Sequence, residues 1–400
     1  MKKKIKVLRI INRFNLGGPT FNAAYLTKYL SNDFETLLVG GDKDDSEESS
    51  TFILDQLGLE PIIIPEMRRD IGFAADKIAY QKLKKIIQEF QPDIVHTHAS
   101  KAGTLGRIAA YKCKVPIIIH TFHGHVFHSY FGKTKTLVFK IIERFLAKKS
   151  TAIIAISEIQ KNELVDVHKI CKKEKIKVIP LGFDLSRFQE NVEEKRKSFR
   201  NFYQIDDDEI AIGIIGRLVP IKNHKLFIDA IGQLSKKSNK KIRAFIIGDG
   251  EEKENLKSYC ETVHVDFVEF DDVQTQNTIT FTSWIKEIDW ANAGLDIIAL
   301  SSLNEGTPVS LIEAQAANKP IVTTNVGGVE NIVLPNQTAF IVPPNNLNQF
   351  SEALLKLIED DELRLTMGKQ GWLHVKDKFH FTRLVNDMEK LYVSLLNNSK

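Results

Sequence analysis

The chain has 400 residues, of which 43% are hydrophobic and 26% are charged, with three cysteines and a formal net charge of +4 at pH 7. This length favours two domains of about 150–200 residues, and the composition is that of a globular protein with sizeable cores rather than a disordered or fibrous chain. No apolar run is long enough for a membrane-spanning helix, and the scattered cysteines argue against a disulfide framework or zinc knuckle and fit a cytoplasmic location.

Charge is distributed unevenly between the two halves. Residues 1–200 hold 35 lysines and arginines against 23 acids, whereas residues 201–400 hold 20 against 28. The segment 94–157 carries ten basic residues and a single acid, Glu143. A basic half indicates an anionic partner such as a membrane surface, a phosphorylated lipid or nucleic acid, or else a solvated positive face. No recognised nucleic-acid-binding module is present, so nucleic acid is not expected.

Short apolar runs alternate with amphipathic segments of helical length along the whole chain. Strands are predicted at 6–12, 35–40, 61–65, 93–98, 116–121, 151–157 and 177–181, and again at 210–218, 242–250, 295–302 and 319–328. Helices are predicted at 20–30, 78–90, 135–149 and 225–234. This alternation is typical of parallel sheets covered by helices on both faces. Two such series, separated by a charged linker near 183–209, predict two doubly wound domains with a ligand cleft between them.

The loop and helix after the predicted strand 295–302 contain two glutamates eight residues apart, Glu305 and Glu313. Thr307 is suited to cap a helix over 308–317, with Pro308 at its first position. The unpaired N–H groups near that start would form an anion site together with the helix dipole. The alternative is an exposed helical glutamate and an incidental loop acid.

Two cations lie in the loop that follows the strand 210–218. Arg217 and Lys222 flank Pro220 in "GRLVPIKN". Because both come from one strand-to-helix loop, they can be directed at one diphosphate, and arginine can bind it through two hydrogen bonds.

The first half offers a glycine turn and a group of histidines. Gly17 and Gly18 follow the first strand and permit close backbone approach to a phosphate or sugar, or form a plain tight turn. Six of the eleven histidines lie at positions 96, 98, 120, 123, 125 and 128. With no acid or cysteine beside them, a metal site is not expected. The Asp-x-Asp strings at 42–44 and 206–208 are interpreted as solvated turns.

The strings "GRLVPIKN" and "EGTPVSLIE" resemble the signature motifs of the retaining glycosyltransferase family 4, the second through its E-x7-E spacing. "NVGGVENIV" at 325–333 is similar to the turn that follows in that family, and the resemblance extends over nearly the whole chain. It implies the GT-B fold, which consists of two Rossmann-like α/β domains with an interdomain cleft and a C-terminal helix that crosses back to the first domain. The expected domains are an acceptor-binding domain at 1–188 with the returning helix 379–400, and a donor-binding domain at 189–378.

The resemblance also implies roles for individual residues. Arg217 and Lys222 would hold the nucleotide diphosphate, Glu313 the ribose hydroxyls, and Glu305 the donor sugar. His123 would touch the donor sugar near the reacting carbon, while His125 and His128 would face the acceptor or solvent. The remaining donor-binding positions are the turn at Gly17 and Gly18 and the backbone of Gly306, Thr307, Pro308 and Val309.

The expected function is retaining transfer of a sugar, without a metal or other cofactor, from a nucleotide-diphosphate sugar, with UDP as the expected nucleotide. The acceptor would be a hydroxyl of a glycan or lipid-linked saccharide in surface polysaccharide assembly. A GT-B sugar-nucleotide epimerase and a non-catalytic sugar-nucleotide-binding subunit are the alternatives. The protein is expected in the cytoplasm, peripherally on the inner face of the plasma membrane. There the basic rim of the helix 135–149 would meet anionic lipid while its apolar stripe packs on its own sheet.

Overall fold

The chain folds into two compact units. The first consists of Met1–Phe183 and Phe379–Lys400, and the second of Asp184–Lys378. The predicted domain boundary lies five residues further along the chain, between 188 and 189. The computed structural model describes residues 3–14, 18–42, 51–68, 72–123, 133–269 and 278–398.

The first unit is built on a parallel sheet in which seven strands are described, in the order β3-β2-β1-β4-β5-β6-β7. Its strands are β1 Ile5–Arg13, β2 Phe34–Gly41, β3 Ile62–Ile63, β4 Ile94–His98, β5 Ile117–Phe122, β6 Ala152–Ala155 and β7 Ile176–Val178. Its helices are α1 Gly18–Lys28, α2 Thr51–Gln56, α3 Phe73–Phe90, α4 Ser100–Lys112, α5 Lys133–Lys149 and α6 Glu158–Asn162, with a π-turn at Glu163–Val167 and a 3-10 turn at Lys173–Lys175. The central strands β4 and β5 are buried along their whole length, as expected for a parallel sheet covered on both faces.

The second unit repeats this architecture with strand order β10-β11-β9-β8-β12-β13-β14 among its described residues. Its strands are β8 Ile210–Ile215, β9 Ile242–Ile247, β10 Phe267–Glu269, β11 Ile279–Ser283, β12 Ile297–Leu300, β13 Ile321–Thr324 and β14 Ala339–Val342. Its helices are α7 Val192–Phe202, α8 His224–Lys237, α9 Lys253–Thr262, α10 Ile288–Gly294, α11 Val309–Ala316, α12 Leu347–Glu359 and α13 Asp361–Val375, with 3-10 turns at Ser186–Phe188, Pro220–Lys222 and Val329–Asn331. Every described strand pair in this sheet is parallel.

The last helix, α14 Phe381–Asn397, belongs to the first unit. Leu384, Val385 and Met388 on its buried face join the core formed by Val7 of β1 and Ile94 of β4. The helix is anchored where Arg383 donates to the carbonyls of Pro180 and Leu181 at 2.8 and 2.7 Å. The chain therefore returns to its first unit at its C-terminal end, as predicted.

The charged segment near 183–209, which was interpreted as a linker, is helical over Val192–Phe202. Phe199 on α7 is fully buried. Arg196 and Arg200 form ion pairs with Asp296 at 2.8 and 3.2 Å. The charges that suggested an exposed linker instead hold α7 against the second unit, so the linker prediction was wrong for this helix.

None of the described helices is both long and apolar enough to cross a membrane.

Candidate functional site

The loops that carry the two predicted cations and Glu305 lie at the carboxyl edge of the second sheet, and Glu313 lies on the helix that follows. From β8 the chain continues to β9 on one side, and it returns on the other side at β12. The loops after β8 and β12 therefore leave the sheet in opposite directions and open a crevice at its carboxyl edge, which is the place where open α/β sheets bind ligands.

These two loops are joined by hydrogen bonds. The Ser301 hydroxyl donates to the carbonyls of Lys222 and Asn223 at 3.0 and 2.9 Å. The backbone N–H of Leu303 donates to the carbonyl of Ile221 at 2.8 Å. The segment that ends β12 thus fixes the 3-10 turn that presents the Lys222 side chain.

Lys222 and Glu305 form an ion pair, with 2.6 Å between Nζ and Oε1. The Ser302 hydroxyl donates to the same Oε1 at 2.6 Å. The Lys222 side chain is 22% exposed and that of Glu305 is 9% exposed. An ammonium group has three hydrogens, so Lys222 retains donors for a ligand. Glu305 Oε2 accepts no hydrogen bond from any described residue and remains available for a hydroxyl.

Arg217 lies at the exposed surface of the loop after β8. Its guanidinium forms no hydrogen bond or ion pair with the residues that the structure describes. The structure therefore joins Lys222 to Glu305 and leaves the predicted partnership of Arg217 with Lys222 a prediction.

The helix after the Glu305 loop begins at Val309, one residue later than predicted. Pro308, with φ −71° and ψ 99°, occupies the capping position, and no side chain caps the helix. Thr307 was therefore wrongly predicted as the cap, because the extended backbone of Pro308 delays the first helical residue. Among the described residues, no acceptor is found for the backbone N–H groups of Thr307, Val309 and Ser310, which fits the predicted cluster of unpaired donors.

Glu313 occupies a different environment from Glu305. Its side chain is 14% exposed and lies 3.8 Å from Arg187, measured from Oε1 to Nη2. Burial raises the pKa of Glu313 to about 7, with Arg187 opposing this rise and Asp289 adding to it. Asp289 is in turn paired with Lys195 at 2.9 Å. The two glutamates thus have separate partners.

Two glycines let the loop after β13 pack directly on the Glu305 loop. A Cβ at Gly327 would lie 1.8 Å from the carbonyl oxygen of Glu305, and one at Gly328 would lie 1.9 Å from that of Gly306. Gly327 also has a left-handed φ of +50°, which suits glycine. The Gly328 N–H donates to the Glu305 carbonyl at 3.1 Å. The backbone around Glu305 therefore packs against a glycine turn in which there is no room for a side chain.

The carboxyl edge of the first sheet presents neutral histidines. His98 at the end of β4 and His123 after β5 are joined by a hydrogen bond of 2.8 Å between Nδ1 and Nε2. Burial lowers the pKa of His123 to about 3 and that of His98 well below its usual value. The second ring nitrogen of each, Nε2 of His98 and Nδ1 of His123, has no partner among the described residues. This pair is a polar group at the predicted sugar-facing position.

A third histidine of this sheet, His96, belongs to a buried network that reaches the returning helix. Arg9 donates to the Tyr392 hydroxyl at 3.1 Å, and that hydroxyl lies 2.6 Å from His96 Nδ1. His96 Nε2 lies 2.7 Å from the Thr121 hydroxyl. Because Arg9 can only donate, the tyrosine O–H is free to donate to His96 Nδ1, which leaves the proton of this neutral ring on Nε2. The His96 ring contacts the His98 ring in a tilted arrangement, with centroids 4.2 Å apart and an angle of 32° between the ring planes.

The other first-half predictions have mixed outcomes. Gly18 is the first residue of α1, whereas Gly17, His125 and His128 lie outside the described residues. His120 lies in β5, as predicted, with its ring nitrogen 2.9 Å from the Thr97 hydroxyl.

Two further predictions concern the Asp-x-Asp strings and the binding of a metal ion. Residues 206–208 form an exposed turn, as predicted. Among the described residues, no three His, Cys, Asp or Glu side chains lie close enough together to hold a metal ion. Metal independence stays a prediction.

Five residues around the site were missed by the sequence analysis. Arg187 and Asp289 flank Glu313 from segments distant in sequence and gave no signal. Tyr392 likewise reaches His96 from almost 300 residues away. His98 was noted without a role. Ser302 had a usable signal, because a hydroxyl three residues before a loop glutamate can donate to it.

Comparisons with known proteins agree with this architecture. A family model described as Glycosyltransferase Family 4 matches residues 17–187. A second model, described as Glycosyl transferases group 1, matches residues 195–373. Together they cover parts of both compact units.

Two relatives match along most of their length. An Escherichia coli protein named UDP-Gal:alpha-D-GlcNAc-diphosphoundecaprenol alpha-1,3-galactosyltransferase is 30% identical over 342 residues, which is 84% of each chain. The Staphylococcus aureus capsular polysaccharide biosynthesis glycosyltransferase CapM is also 30% identical over 342 residues, covering 84% of this chain and 86% of the relative.

Solved structures with the same fold include HepE from Anabaena in complex with UDP and sucrose-phosphate synthase from Thermosynechococcus elongatus. HepE aligns with a TM-score of 0.80 at 18% identity over 98% of this chain and 100% of its own. The synthase aligns with a TM-score of 0.78 at 17% identity over 99% and 100%. The fold is thus GT-B, and the chain belongs to glycosyltransferase family 4.

Proposed function

We propose that this glycosyltransferase moves a sugar from a UDP-sugar to a hydroxyl of a lipid-linked saccharide during assembly of a surface polysaccharide, with retention of configuration and without a metal ion. The observation that carries the proposal is the ion pair of Lys222 and Glu305, which lies where the loops after β8 and β12 leave the second sheet in opposite directions. It brings together a cation for the leaving diphosphate and a carboxylate for sugar hydroxyls at one loop junction.

The donor site would use cations and N–H donors that are not fully paired in the unliganded protein. Lys222 retains two N–H donors beyond its bond to Glu305, and the unpaired N–H groups at the start of α11 supply partial positive charge. Arg217, exposed and unpaired among the described residues, would add a second cation. Fixed donors that face a developing negative charge stabilise the transition state because they need no reorganisation during the reaction. This charge would replace a metal ion at the diphosphate.

The carboxylates would bind neutral hydroxyls rather than transfer protons. Glu305 is held by Lys222 and Ser302 through one oxygen, which leaves Oε2 for a hydroxyl of the donor sugar. Glu313 would accept the two ribose hydroxyls. In a retaining reaction of this family, the acceptor hydroxyl attacks from the face that the diphosphate leaves, and a leaving-group oxygen takes its proton. His123, neutral at physiological pH because of burial, would donate or accept a hydrogen bond at the sugar.

The nucleotide and acceptor are proposed from the relatives. The E. coli relative is named for UDP-galactose and a diphosphoundecaprenol acceptor, and CapM for capsular polysaccharide. A lipid-linked acceptor would place the protein peripherally on the cytoplasmic face of the plasma membrane, where the basic first half faces anionic lipid.

The test is a panel of UDP-, GDP-, ADP- and TDP-sugars, scored first by thermal stabilisation and then by transfer to a diphospholipid-linked acceptor. A ligand that binds only the folded state raises the unfolding temperature. We expect a UDP-sugar to give the largest rise and to yield a glycosylated acceptor with retained anomeric configuration.

The alternatives predict different products. Epimerised UDP-sugar without an acceptor would favour the epimerase, and stabilisation without turnover in any combination would favour a binding subunit. Stabilisation by none of the nucleotide sugars would refute the donor assignment.

A further inference from the structure

Helix α5 exposes apolar side chains that the sequence predicted to be buried. Leu137, Val138, Ile141 and Phe145 are 56%, 51%, 56% and 54% exposed. At about 3.6 residues per turn, these positions and exposed Lys148 fall within one arc of about 100° on the helix surface. The prediction that the apolar stripe of this helix packs on its own sheet was wrong for these four residues, whereas Ala147 of the same helix does join the core formed by Phe122 and Ile153.

The side of α5 that does pack inward carries the only acid of the helix. Glu143 is almost completely buried and accepts two hydrogen bonds from the buried Arg107 of α4, at 2.9 and 2.7 Å. Because a buried acid requires such a partner, this pair fixes the rotation of α5 about its axis. Leu146 and Ala147 lie on the same inward side. The pair thus removes the negative charge from the surface and turns the apolar residues outward.

Basic residues border the exposed arc on both sides. Lys140 and Arg144 lie along one border, and Arg144 is held there by the carbonyls of His168 and Lys169. Lys149 lies on the other border, with Nζ 4.0 Å from the centroid of the Tyr111 ring on α4. This tyrosine is itself 46% exposed. The surface thus has an apolar centre, basic residues along both borders and the Tyr111 ring beside one of them.

We infer that this face of α5 docks the protein onto a lipid bilayer that contains anionic headgroups. Helices that lie in the plane of a membrane have apolar residues that enter the interface and basic residues at its level, which is the arrangement found here. An apolar protein partner would explain the exposed centre but not the cations on both borders, and the described part of α5 exposes no acid between them. The inference deepens the proposed function and rests on it for the lipid-linked acceptor, because docking would bring the protein to the surface where that acceptor lies.

The position of α5 links docking to the site. The helix begins ten residues after His123, and helices that follow strands of a parallel sheet begin at its carboxyl edge. The Leu137 end of the exposed face therefore lies toward the edge of the first sheet that carries the histidine pair. A bilayer on this face would be close to the candidate acceptor side of the first unit.

The test is flotation of the full chain with vesicles of phosphatidylcholine, alone or mixed equally with phosphatidylglycerol. We expect binding to the mixed vesicles that weakens as salt rises. The Ile141→Asp/Phe145→Asp variant should bind at least about tenfold more weakly, because it places charge in the apolar centre. Lys148→Glu should weaken binding and reduce its salt dependence.

The matched control is Leu365→Asp/Leu373→Asp on α13 of the second unit, where the two leucines are 64% and 54% exposed. This variant should float like the wild type. Unfolding temperature and UDP-sugar binding, measured on every variant, identify any that fail to fold, and Lys148→Glu alone then carries the test.

Three results would overturn the inference. The first is wild-type flotation by the Ile141→Asp/Phe145→Asp variant, and the second is absence of wild-type binding to either vesicle. The third is a wild-type dimer that this variant converts to monomers, which would make the face an interface between copies.

Transfer to a water-soluble acceptor separates the two proposals. Loss of flotation with intact transfer would refute docking alone, whereas flotation without transfer of any sugar would refute the proposed function alone.

Discussion

The two sheets share one plan, but the side-chain pairs described at their carboxyl edges differ in charge. In each, the chain reverses direction across the sheet between two central strands, β1 and β4 in the first and β8 and β12 in the second. At the first edge the described ring pair, His98 and His123, is buried and neutral. At the second edge, Lys222 and Glu305 are paired and partly accessible.

The difference follows from what each environment lets a side chain carry. Burial disfavours the charged form of a histidine, so the first edge offers hydrogen bonds to a neutral group. At the second edge, Lys222 and Glu305 form an ion pair at 2.6 Å and both keep partial access to solvent. The two described pairs therefore differ in charge. Under the proposed function, the ion pair of the second unit would serve the diphosphate and the neutral histidine pair of the first unit would serve the uncharged sugar.

The carboxyl edge of the second sheet, with Lys222 and Glu305, is called the charged edge below, and that of the first sheet, with His98 and His123, the neutral edge. The strongest test of the charged edge is Lys222→Ala. Loss of a cation that faces the leaving diphosphate should reduce kcat/KM by about 10²–10³-fold. Lys225→Ala is the control, because Lys225 lies three residues further on, is exposed, and rests on the Tyr259 ring. Initial rates of transfer with a UDP-sugar measure both. Equal rates for wild type and Lys222→Ala would end the assignment of the diphosphate to this edge.

The neutral edge is tested through His98, a positioning residue for His123. His98→Leu removes the hydrogen bond to His123 Nε2, and misplacement of the ring should lower kcat by about tenfold or more with little change in donor KM. His98→Asn retains a polar atom near Nδ1 and should restore most of the rate. If Leu and Asn variants behave alike, the hydrogen bond has no part in the reaction.

Glu313 sharpens the comparison because it is an acid of the charged edge that burial shifts toward neutrality. Its pKa of about 7 in the unliganded protein means that the carboxylate forms as pH rises from 6 to 8. If the ionised form accepts the ribose hydroxyls, UDP-sugar affinity should increase over this interval. Calorimetric titration with a UDP-sugar measures this affinity. UDP itself is less suitable, because its terminal phosphate changes protonation in a similar pH range.

Glu313→Gln is the control for this effect and should bind with weak pH dependence. The same shift affects stability with a definite sign. Because the folded-state pKa is raised above the ordinary 4.5, the folded state binds more protons between about 4.5 and 7, and its contribution to stability falls as pH rises through that window. A wild-type affinity that is constant from pH 6 to 8 would contradict the proposed role.

Much of the fold could be predicted because it depends on patterns that are local in sequence. The buried strands β5 and β8 are mainly apolar runs of strand length, and β4 begins with one. Their positions along the chain could therefore be predicted from hydrophobicity, run length and the flanking residues. Helix α7 was missed because its charged residues are satisfied by Asp296, an acid about 100 residues away. The rotation of α5 was missed for the same reason, since Glu143 turns inward only because Arg107 receives it.

For the candidate site, too, local motifs could be predicted from the sequence, whereas contacts between distant segments could not. Lys222 and Glu305 were predicted from two short motifs, and the structure adds the contact that joins them. The partners of Glu313 and the hydroxyl on His96 come from distant segments, so composition and spacing carry no trace of them. The pKa of a buried carboxyl also depends on depth of burial, which a sequence does not specify.

The last and smallest expected effect concerns the returning helix, which completes the neutral edge. Tyr392→Phe removes the hydroxyl that accepts from Arg9 and contacts His96, and it leaves both buried groups short of a partner. The cost should be about 1–3 kcal/mol of unfolding free energy. Tyr259→Phe, which loses a partly buried bond of 2.8 Å to Asp229 in the second unit, should cost about 1 kcal/mol or less. Urea unfolding measures both. Equal losses would mean that the buried network stabilises the protein no more than the partly buried bond of Tyr259 does. A greater loss for Tyr392→Phe would show that this buried network, formed with a helix from the far end of the chain, contributes more to stability than the bond in the second unit does.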